Sequence, residues 1–325
     1  MRVLVTGAAG FIGSHLTDHL LHRGHAVVGL DDLSAGSLDN LALARASRAF
    51  SFIEGDVRNR IAVDDAMRGC DAVVHLAARI GLRMIVESPL RTLEVNAHGT
   101  ETVLQAAARD NTPTIVASTS EVYGHSLRFP SHEDDPISIG SPTIGRWSYA
   151  CAKIYDEFYA LALHRERELP VVISRLFNTV GTRQTGRYGM VIPRLIRQAL
   201  AREPLTVYGD GTQTRCFCAI EDVVHALLVQ LERFGSVAGE IFNIGNPIET
   251  PIIDLAKRII QRTGSTSTIE LVPFSDVYPA GFEEIMRRVP DISKAERLLQ
   301  FQPHVTLDAT IDAVSASLKE GRVLV

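Results

Sequence analysis

Three glycines spaced three residues apart follow a short apolar segment at the start of the chain. The segment Arg2–Thr6 is rich in apolar and β-branched residues, as a buried parallel strand is, and Phe11–Arg23 has helical periodicity. Gly7 permits a tight turn between them, Gly10 lets backbone N–H groups approach a pyrophosphate, and Gly13 lets the helix lie close to the strand. A strand, a glycine-rich turn and a helix in this order predict a dinucleotide-binding fold.

Short apolar segments and helical patterns continue to alternate through the first half of the chain. The clearest further strands are predicted at Ala26–Leu30, Phe50–Glu54, Ala72–Leu76, Thr114–Ser118 and Val171–Leu176. The longest helices are predicted near Leu90–Arg109 and over Tyr149–Glu166. This alternation predicts an α/β fold, with a Rossmann-type doubly wound parallel sheet and helices on both faces.

The pattern changes after about residue 177, where glycine and proline become frequent and strands shorten. The chain has 325 residues, which favours two packed units rather than one. We expect residues 1–177, with about 221–245 returning to them, to form the dinucleotide-binding domain. Residues 178–220 and 246–325 should form a smaller, mostly C-terminal α/β domain that binds the substrate.

Composition excludes several classes of function. The net charge is −5 and basic residues form no long run, so the sequence gives no support for nucleic-acid binding. No apolar run is long enough to span a membrane. The four cysteines and the other possible ligands lack the spacing of a metal site, and the N-terminus lacks a clear signal-peptide cleavage site. We therefore expect a cytoplasmic protein with free thiols and no metal.

Two aspartates bear on the choice of cofactor. Asp31 ends the second predicted strand, where a carboxylate can hold both hydroxyls of an adenosine ribose and repel a 2′-phosphate. NAD is therefore favoured over NADP, with a flavodoxin-like fold that binds no cofactor as the alternative. Asp56 follows the third strand, where it can accept a hydrogen bond from the adenine amino group or simply form a turn.

A second motif predicts catalysis. Tyr149 and Lys153 lie four apart on a predicted helix and therefore share a face. An ammonium beside a phenol lowers the pKa of the phenol, which could then act as a general base near neutral pH. Hydroxyl side chains at residues 118–120 lie at the carboxyl end of a strand, the edge at which doubly wound sheets bind ligands.

Together these motifs resemble the extended short-chain dehydrogenases/reductases, over nearly the whole chain. The resemblance rests on the glycine pattern, Asp31, His75-Leu76-Ala77-Ala78, Asn96, the hydroxyl side chains and the Tyr-Lys pair. It implies an NAD-dependent enzyme that acts on a nucleotide sugar. The cofactor-binding residues expected are Gly7, Gly10, Phe11, Ile12, Gly13, Asp31, Asp56, Val57, Leu76, Ala77, Ala78, Asn96, Ser118, Tyr149 and Lys153.

The resemblance also bears on the reaction. Thr119-Ser120-Glu121, the Arg-Trp-Ser-Tyr at 146–149 and Arg288 look like the UDP-glucuronate decarboxylases (UDP-xylose synthases). Ile85, where such enzymes carry a tyrosine, and Gly81-Leu82-Arg83, which is similar to many 4-epimerases, keep a UDP-hexose or UDP-glucuronate 4-epimerase open. A non-catalytic NAD-binding regulator is a third hypothesis. Two roles stay open for Glu121: a catalytic carboxylate, or one that only caps a strand end or pairs with Arg288.

The expected roles divide into two groups. The catalytic set is Thr119, Glu121, Tyr149, Lys153 and Arg288. The set expected to bind the UDP-sugar is Arg83, Ser120, Asn178, Arg187, Val191, Tyr208, Arg215 and Arg288. By analogy with related enzymes we also expect a homodimer that pairs through a four-helix bundle, formed by the stretches around Leu90–Arg109 and Tyr149–Glu166.

Overall fold

A computed structural model describes residues 1–186, 189–278 and 282–320, apart from the side chains of Leu82 and Arg83. The strands are β1 Arg2–Thr6, β2 Ala26–Asp31, β3 Phe50–Glu54, β4 Ala72–His75, β5 Thr114–Thr119, β6 Val171–Leu176, β7 Thr179–Val180, β8 Leu205–Tyr208, β9 Thr214–Cys216, β10 Cys218–Ala219, β11 Ile241–Ile244, β12 Glu249–Pro251 and β13 Ile269–Val272. The helices are α1 Phe11–His22, α2 Ala42–Arg45, α3 Arg60–Met67, α4 Leu82–Glu87, α5 Pro89–Leu93, α6 Gly99–Asp110, α7 Trp147–Arg167, α8 Val191–Ala201, α9 Ile220–Glu232, α10 Phe234–Val237, α11 Ile252–Thr263, α12 Phe274–Val277, α13 Ser293–Leu299 and α14 Leu307–Lys319.

Seven parallel strands form the main sheet, in the order β11-β6-β5-β4-β1-β2-β3. Alternate residues along β1 point to opposite faces of this sheet. Val3 and Val5 pack with α1 and α9 on one face, whereas Leu4 packs with α3, α6 and α7 on the other. The α/β fold with a doubly wound parallel sheet is confirmed.

The segment at about 221–245, which was predicted to return to the first domain, contains α9 and β11. Strand β11 pairs with β6 at the edge of the main sheet. A separate apolar core joins α8, α11 and α14, and three two-stranded sheets lie around it. The predicted division of the chain into two domains, with the boundaries given above, stays a proposal.

The long helix predicted near Leu90–Arg109 is interrupted. Pro89 opens α5, a π-helical turn follows at Glu94–His98, and α6 then continues to Asp110. A proline has no N–H to donate and is tolerated in the first turn of a helix, which explains the start. The π turn contains Asn96, whose side chain binds outside the helix, as described below.

Candidate active site

A cavity of about 630 Å³ lies along the carboxyl ends of the parallel strands and extends between them and the second core. Asp31 at the end of β2, Thr119 at the end of β5 and Leu176 at the end of β6 all line it. Tyr208 and Val191 line it from the side of the second core. Ligands of doubly wound sheets bind at this edge, so the cavity is the candidate active site.

The glycine-rich turn forms one end of the cavity. Gly7 has a φ of 70°, a conformation that favours glycine. A Cβ atom at Gly13 would lie 2.1 Å from the carbonyl oxygen of Gly7, so only glycine permits this contact between helix and turn. Gly10, Phe11 and Ile12 line the cavity at the start of α1, where unpaired N–H groups and the helix dipole attract an anion. This cradle fits the pyrophosphate of a dinucleotide.

Asp31 is 7% exposed and lines the cavity beside this turn. One carboxylate oxygen accepts a hydrogen bond from the Ala9 N–H at 2.9 Å and the other accepts one from the Leu33 N–H at 2.8 Å. Burial raises the pKa of Asp31, and these backbone hydrogen bonds oppose the rise. The carboxylate is thus fixed in orientation and retains lone pairs for ribose hydroxyls.

Asp56 and Val57 both line the cavity after β3. The Asp56 side chain accepts hydrogen bonds from the Arg58 backbone N–H at 2.8 Å and from the Arg58 guanidinium at 2.6 Å. The side-chain hydrogen bond with Arg58 lowers the pKa of Asp56. Both interpretations made from the sequence therefore stay open, because the aspartate forms a turn and also faces the cavity.

The segment after β4 lies against the cofactor end. Leu76, Ala77 and Ala78 line the cavity, whereas Asn96 lies behind them. The Asn96 amide accepts from the Arg79 N–H at 2.7 Å and donates to the Arg79 carbonyl at 3.1 Å. Asn96 therefore fixes the backbone of this segment, and its expected role in cofactor binding would be indirect.

Three consecutive hydroxyl side chains, predicted to bind the cofactor (Ser118), to take part in catalysis (Thr119) and to bind the substrate (Ser120), lie at the end of β5. Ser118, Thr119 and Ser120 all line the cavity and all are at least nine-tenths buried. The Ser118 hydroxyl donates to Glu157 at 2.5 Å. The Thr119 oxygen accepts from the Glu121 N–H at 3.3 Å, which leaves its own O–H available for the hydrogen bond with Tyr149.

Tyr149 and Lys153 line the cavity from α7, four residues apart on one face. The expected lowering of the pKa of Tyr149 is wrong for this arrangement. Burial, first, and then the Glu121 carboxylate raise it, while the Thr119 hydrogen bond and Arg288 oppose the rise. The Lys153 ammonium is directed to the Asp156 carboxylate, 3.1 Å away.

Glu121 and Arg288 are brought together although 167 residues separate them in sequence. The Arg288 guanidinium donates to a Glu121 carboxylate oxygen at 3.4 Å, and both residues line the cavity near Tyr149. The second Glu121 oxygen and the Arg288 Nε atom are buried without a hydrogen-bond partner among the described residues. The pair thus retains polar atoms that a ligand can bind.

Arg146 is a further residue of the site that was not predicted to have a role of its own. Its side chain is 2% exposed, it lines the cavity, and its guanidinium lies 3.9 Å from Glu121. Its Nε atom has no hydrogen-bond partner within the described ranges. The signal was present, because residues three apart near the start of a helix share a face and Arg146 precedes Tyr149 by three.

The remaining substrate residues lie at the far end of the cavity. Asn178, Val191, Tyr208 and Arg215 all line it. Burial and then the nearby Arg288 lower the pKa of Arg215 to about 10, while Glu284, at 2.5 Å, opposes this. The other two predicted residues cannot be placed, since Arg187 and the side chain of Arg83 lie outside the described residues.

Charges at this end of the cavity do not balance. The guanidinium groups of Arg146, Arg215 and Arg288 face the carboxylates of Glu121 and Glu284. Arg194 adds a fourth guanidinium beside Tyr208, so the described residues at this end carry four positive charges against two negative charges, in a site where burial strengthens electrostatic interactions. Such a surface suits an anionic substrate, such as a diphosphate or a sugar carboxylate.

Comparison with known proteins agrees with this geometry. The sequence pattern of the NAD dependent epimerase/dehydratase family matches residues 3–245. A UDP-N-acetyl-alpha-D-glucosaminuronate decarboxylase of Bacillus cytotoxicus is 41% identical over 94% of each chain, and UDP-glucuronic acid decarboxylase 2 of Arabidopsis thaliana is 36% identical over 94% of this chain and 66% of its own. The crystal structure of a UDP-glucuronic acid 4-epimerase from Bacillus cereus, in complex with UDP-glucuronic acid and NAD, has a TM-score of 0.88 at 32% identity, covering 98% of this chain and 99% of that one.

The chain therefore belongs to the NAD dependent epimerase/dehydratase family, within the extended short-chain dehydrogenases/reductases. It is an NAD-dependent enzyme, which excludes the flavodoxin-like alternative without a cofactor and leaves the regulator hypothesis without support. Its relatives include decarboxylases and a 4-epimerase of nucleotide sugars. No helix in the described ranges is long and apolar enough to cross a membrane.

Proposed function

We propose that this enzyme is an NAD-dependent decarboxylase of a UDP-hexuronic acid, with UDP-glucuronate as the first candidate substrate. The observation that carries the proposal is the contact between Glu121 and Arg288 beside Tyr149, at 3.4 Å. A carboxylate and a guanidinium beside the base can hold a sugar carboxylate and control proton transfer near it. The two decarboxylase relatives support the same conclusion.

The first step is oxidation of the sugar at C4. The deprotonated Tyr149 phenol would accept the proton of the C4 hydroxyl, with Thr119 as its hydrogen-bond partner. NAD, when bound, supplies the acceptor for the hydride that leaves C4. The hydrogen bond from Thr119 and the positive charge of Arg288 favour the phenolate, against the burial that raises the pKa of Tyr149.

The second step is loss of the carboxylate. The new C4 ketone lies β to it, so the electrons of the C5–C6 bond can pass into the ketone oxygen as carbon dioxide leaves. Thr119 and Tyr149 donate to that oxygen as its charge develops. Glu121 and Arg288 would then govern the return of a proton to C5. Return of the hydride to C4 gives UDP-xylose, and early release gives the UDP-4-keto pentose.

A product assay and a substitution at Tyr149 test this function. The purified enzyme is incubated with NAD and, separately, with UDP-glucuronate and UDP-N-acetylglucosaminuronate, and the products are followed by mass spectrometry and carbon dioxide release. We expect a product that has lost carbon dioxide. Tyr149→Phe should reduce turnover by about 10²–10⁴-fold. Recovery of UDP-galacturonate alone, with no loss of mass, would reject the decarboxylase.

The second candidate is a UDP-glucuronate 4-epimerase. It is favoured by the structural likeness to the Bacillus cereus epimerase, at a TM-score of 0.88, and by Gly81-Leu82-Arg83 in the sequence. In that reaction the 4-keto sugar must turn over in the site and receive the hydride on its other face. The product assay above separates the two candidates, because epimerisation conserves mass.

A homodimer and a cytoplasmic location complete the proposal. Leu90 on α5 and Tyr155 and Phe158 on α7 are large apolar side chains that are 69%, 42% and 68% exposed, on two helices that pack together. Two copies of this helix pair would form a four-helix bundle and cover them. All four cysteines are unpaired, which supports a reducing compartment.

The dimer is tested by sedimentation. Phe158→Glu should convert a dimer to a monomer at micromolar concentration. Ile61→Glu on α3 is the control, since Ile61 is 73% exposed but lies on another helix. A wild-type monomer would contradict the dimer without affecting the proposed reaction.

A further inference from the structure

A buried carboxylate, that of Asp156, lies beside the ammonium group of Lys153. Asp156 is 0% exposed, one turn along α7 from Lys153, and its Oδ2 atom accepts a hydrogen bond from the ammonium at 3.1 Å. Its Oδ1 atom is buried, and besides Lys153 the Thr100 hydroxyl is the neighbour that stabilises the carboxylate. Burying a carboxylate costs stability even when it is paired, so the position of Asp156 calls for a functional explanation.

A chain of buried polar groups lies next to Asp156. Burial raises the pKa of Asp156, and Lys153 and the Thr100 hydroxyl on α6 both lower it. The Thr100 hydroxyl lies 3.0 Å from the His75 ring, whose other nitrogen lies 2.7 Å from the Thr6 hydroxyl. The Thr6 oxygen accepts from the Ala77 N–H at 3.2 Å, and Ala77 lines the cofactor end of the cavity.

His75 lies in the middle of this series of hydrogen-bonded side chains, between Thr100 and Thr6, and carries no charge there. Burial, and then Lys153, lower the pKa of His75 to about 3, so the ring is neutral at physiological pH. Asp156 is then the group that can balance the Lys153 charge from this side. Glu157, the next residue on α7, is occupied by Arg175, which donates to both of its carboxylate oxygens.

We propose that Asp156 is a positioning residue that holds the Lys153 ammonium in the cavity wall. Its negative charge would also offset part of the positive charge of Lys153 at Tyr149 and at the nicotinamide ring, which would bind beside Tyr149. The proposal rests on the proposed function in one respect, namely that Tyr149 is the base. The chemistry it concerns, oxidation at C4, is common to the decarboxylase and the epimerase.

The charged and polar groups that face Tyr149 determine how its pKa responds to the loss of the Asp156 charge. From the turn after β5, Glu121 raises the pKa of Tyr149 and Thr119 lowers it; from the segment before α13, Arg288 lowers it. On α7 itself, Asp156 raises it. Removing the Asp156 charge should therefore lower the pKa of Tyr149. A base with a lower pKa stays deprotonated at lower pH, so activity should persist further into acid.

The first experiment needs no sugar. Dissociation constants for NAD⁺ and NADH are measured by calorimetry on wild-type enzyme, Asp156→Asn and Glu166→Gln. Glu166 is exposed on the same helix, so its substitution makes the same change of charge away from the site. Asn keeps an oxygen that can accept from Lys153. Because oxidised nicotinamide is positive and reduced nicotinamide is neutral, Asp156→Asn should weaken NAD⁺ relative to NADH by about threefold to tenfold.

The second experiment follows kcat/KM against pH with the substrate that the wild-type enzyme turns over. The acid limb should move to lower pH by about half to one unit in Asp156→Asn and should not move in Glu166→Gln. In a Lys153→Met background the same substitution should move the limb less, because the action through Lys153 is lost while the direct effect of the Asp156 charge on Tyr149 remains. A merely structural aspartate would lower kcat or stability but leave the limb and the NAD⁺/NADH ratio unchanged.

The outcomes separate the two proposals. An unchanged affinity ratio in folded Asp156→Asn overturns the role of Asp156, whatever the reaction. Absence of any turnover of UDP-hexuronates by wild-type enzyme overturns the proposed function, while the affinity ratio still reports on Asp156. If Asp156→Asn does not fold, Lys153→Met combined with Asp156→Leu should restore a folded protein, since an apolar pair can replace a buried ion pair. Failure of that rescue also overturns the pairing.

Discussion

The two ends of the cavity are built in different ways. At the cofactor end the main components are backbone: the turn at Gly7, the N-terminus of α1 and the segment fixed by Asn96. At the sugar end they are charged side chains, Arg146, Arg215 and Arg288 against two carboxylates. The backbone end suits the dinucleotide for which the family is named, whereas charged side chains at the sugar end allow single substitutions to change the substrate.

This comparison predicts that substitutions at the sugar end alter the reaction more than they alter cofactor affinity. The largest effect is expected for Arg288→Met. Loss of a buried guanidinium beside the reacting carboxylate should reduce carbon dioxide release by about 10²-fold or more. NAD affinity should change little, since Arg288 lies at the other end of the cavity. Steady-state product formation and calorimetry measure the two quantities.

The neighbouring arginine provides the control for that substitution. Arg287 is half-exposed and pairs with Glu249 on β12, away from the cavity lining. Arg287→Met should leave both turnover and NAD affinity near the wild-type values. Equal losses in the two variants would show that the segment's stability, not the Arg288 charge, accounts for the effect, and the contrast between the two ends would lose its main support.

What could be predicted from the sequence follows the same division. The glycine turn, Asp31 and the Tyr149–Lys153 pair each lie within one element or at one strand end, so local periodicity and spacing were sufficient. The Glu121–Arg288 contact joins residues far apart in the chain, and only family resemblance placed them together. The spacing of Arg146 puts it on the same face as Tyr149, but only burial distinguishes it, and likewise Asp156, from an ordinary surface charge on a helix.

The direction of the Tyr149 pKa shift was predicted wrongly for a related reason. The spacing of Tyr149 and Lys153 correctly put both on one face of α7, which suggested that the ammonium would lower the pKa of the phenol. The structure shows two effects that the spacing cannot reveal, namely burial of the phenol and the nearby Glu121 carboxylate. Both raise the pKa of Tyr149. Local pattern thus identified the base but not its electrostatic environment.

A medium effect is expected at the cofactor end from Asp31→Asn. The change keeps the shape of the side chain, but its single oxygen can accept from only one of the Ala9 and Leu33 N–H groups, and it removes a charged acceptor for ribose hydroxyls. NAD should bind about tenfold more weakly, and the preference for NAD over NADP should fall because the repulsion of a 2′-phosphate is lost. Asp39→Asn, an exposed aspartate outside the cavity, is the control. Unchanged discrimination would remove Asp31 from cofactor selection.

The smallest effect is expected from Asp56→Asn, which decides between the two interpretations of that residue. Both carboxylate oxygens bind Arg58, and an asparagine oxygen can still accept from the Arg58 N–H, so the turn should persist. A partly exposed ion pair contributes little, and NAD affinity should change by less than about threefold. Affinity is compared for NAD and for its hypoxanthine analogue, which lacks the adenine amino group. If the wild-type preference for adenine disappears in Asp56→Asn, the side chain contacts the base directly, and the cofactor end depends on a second side chain in addition to Asp31.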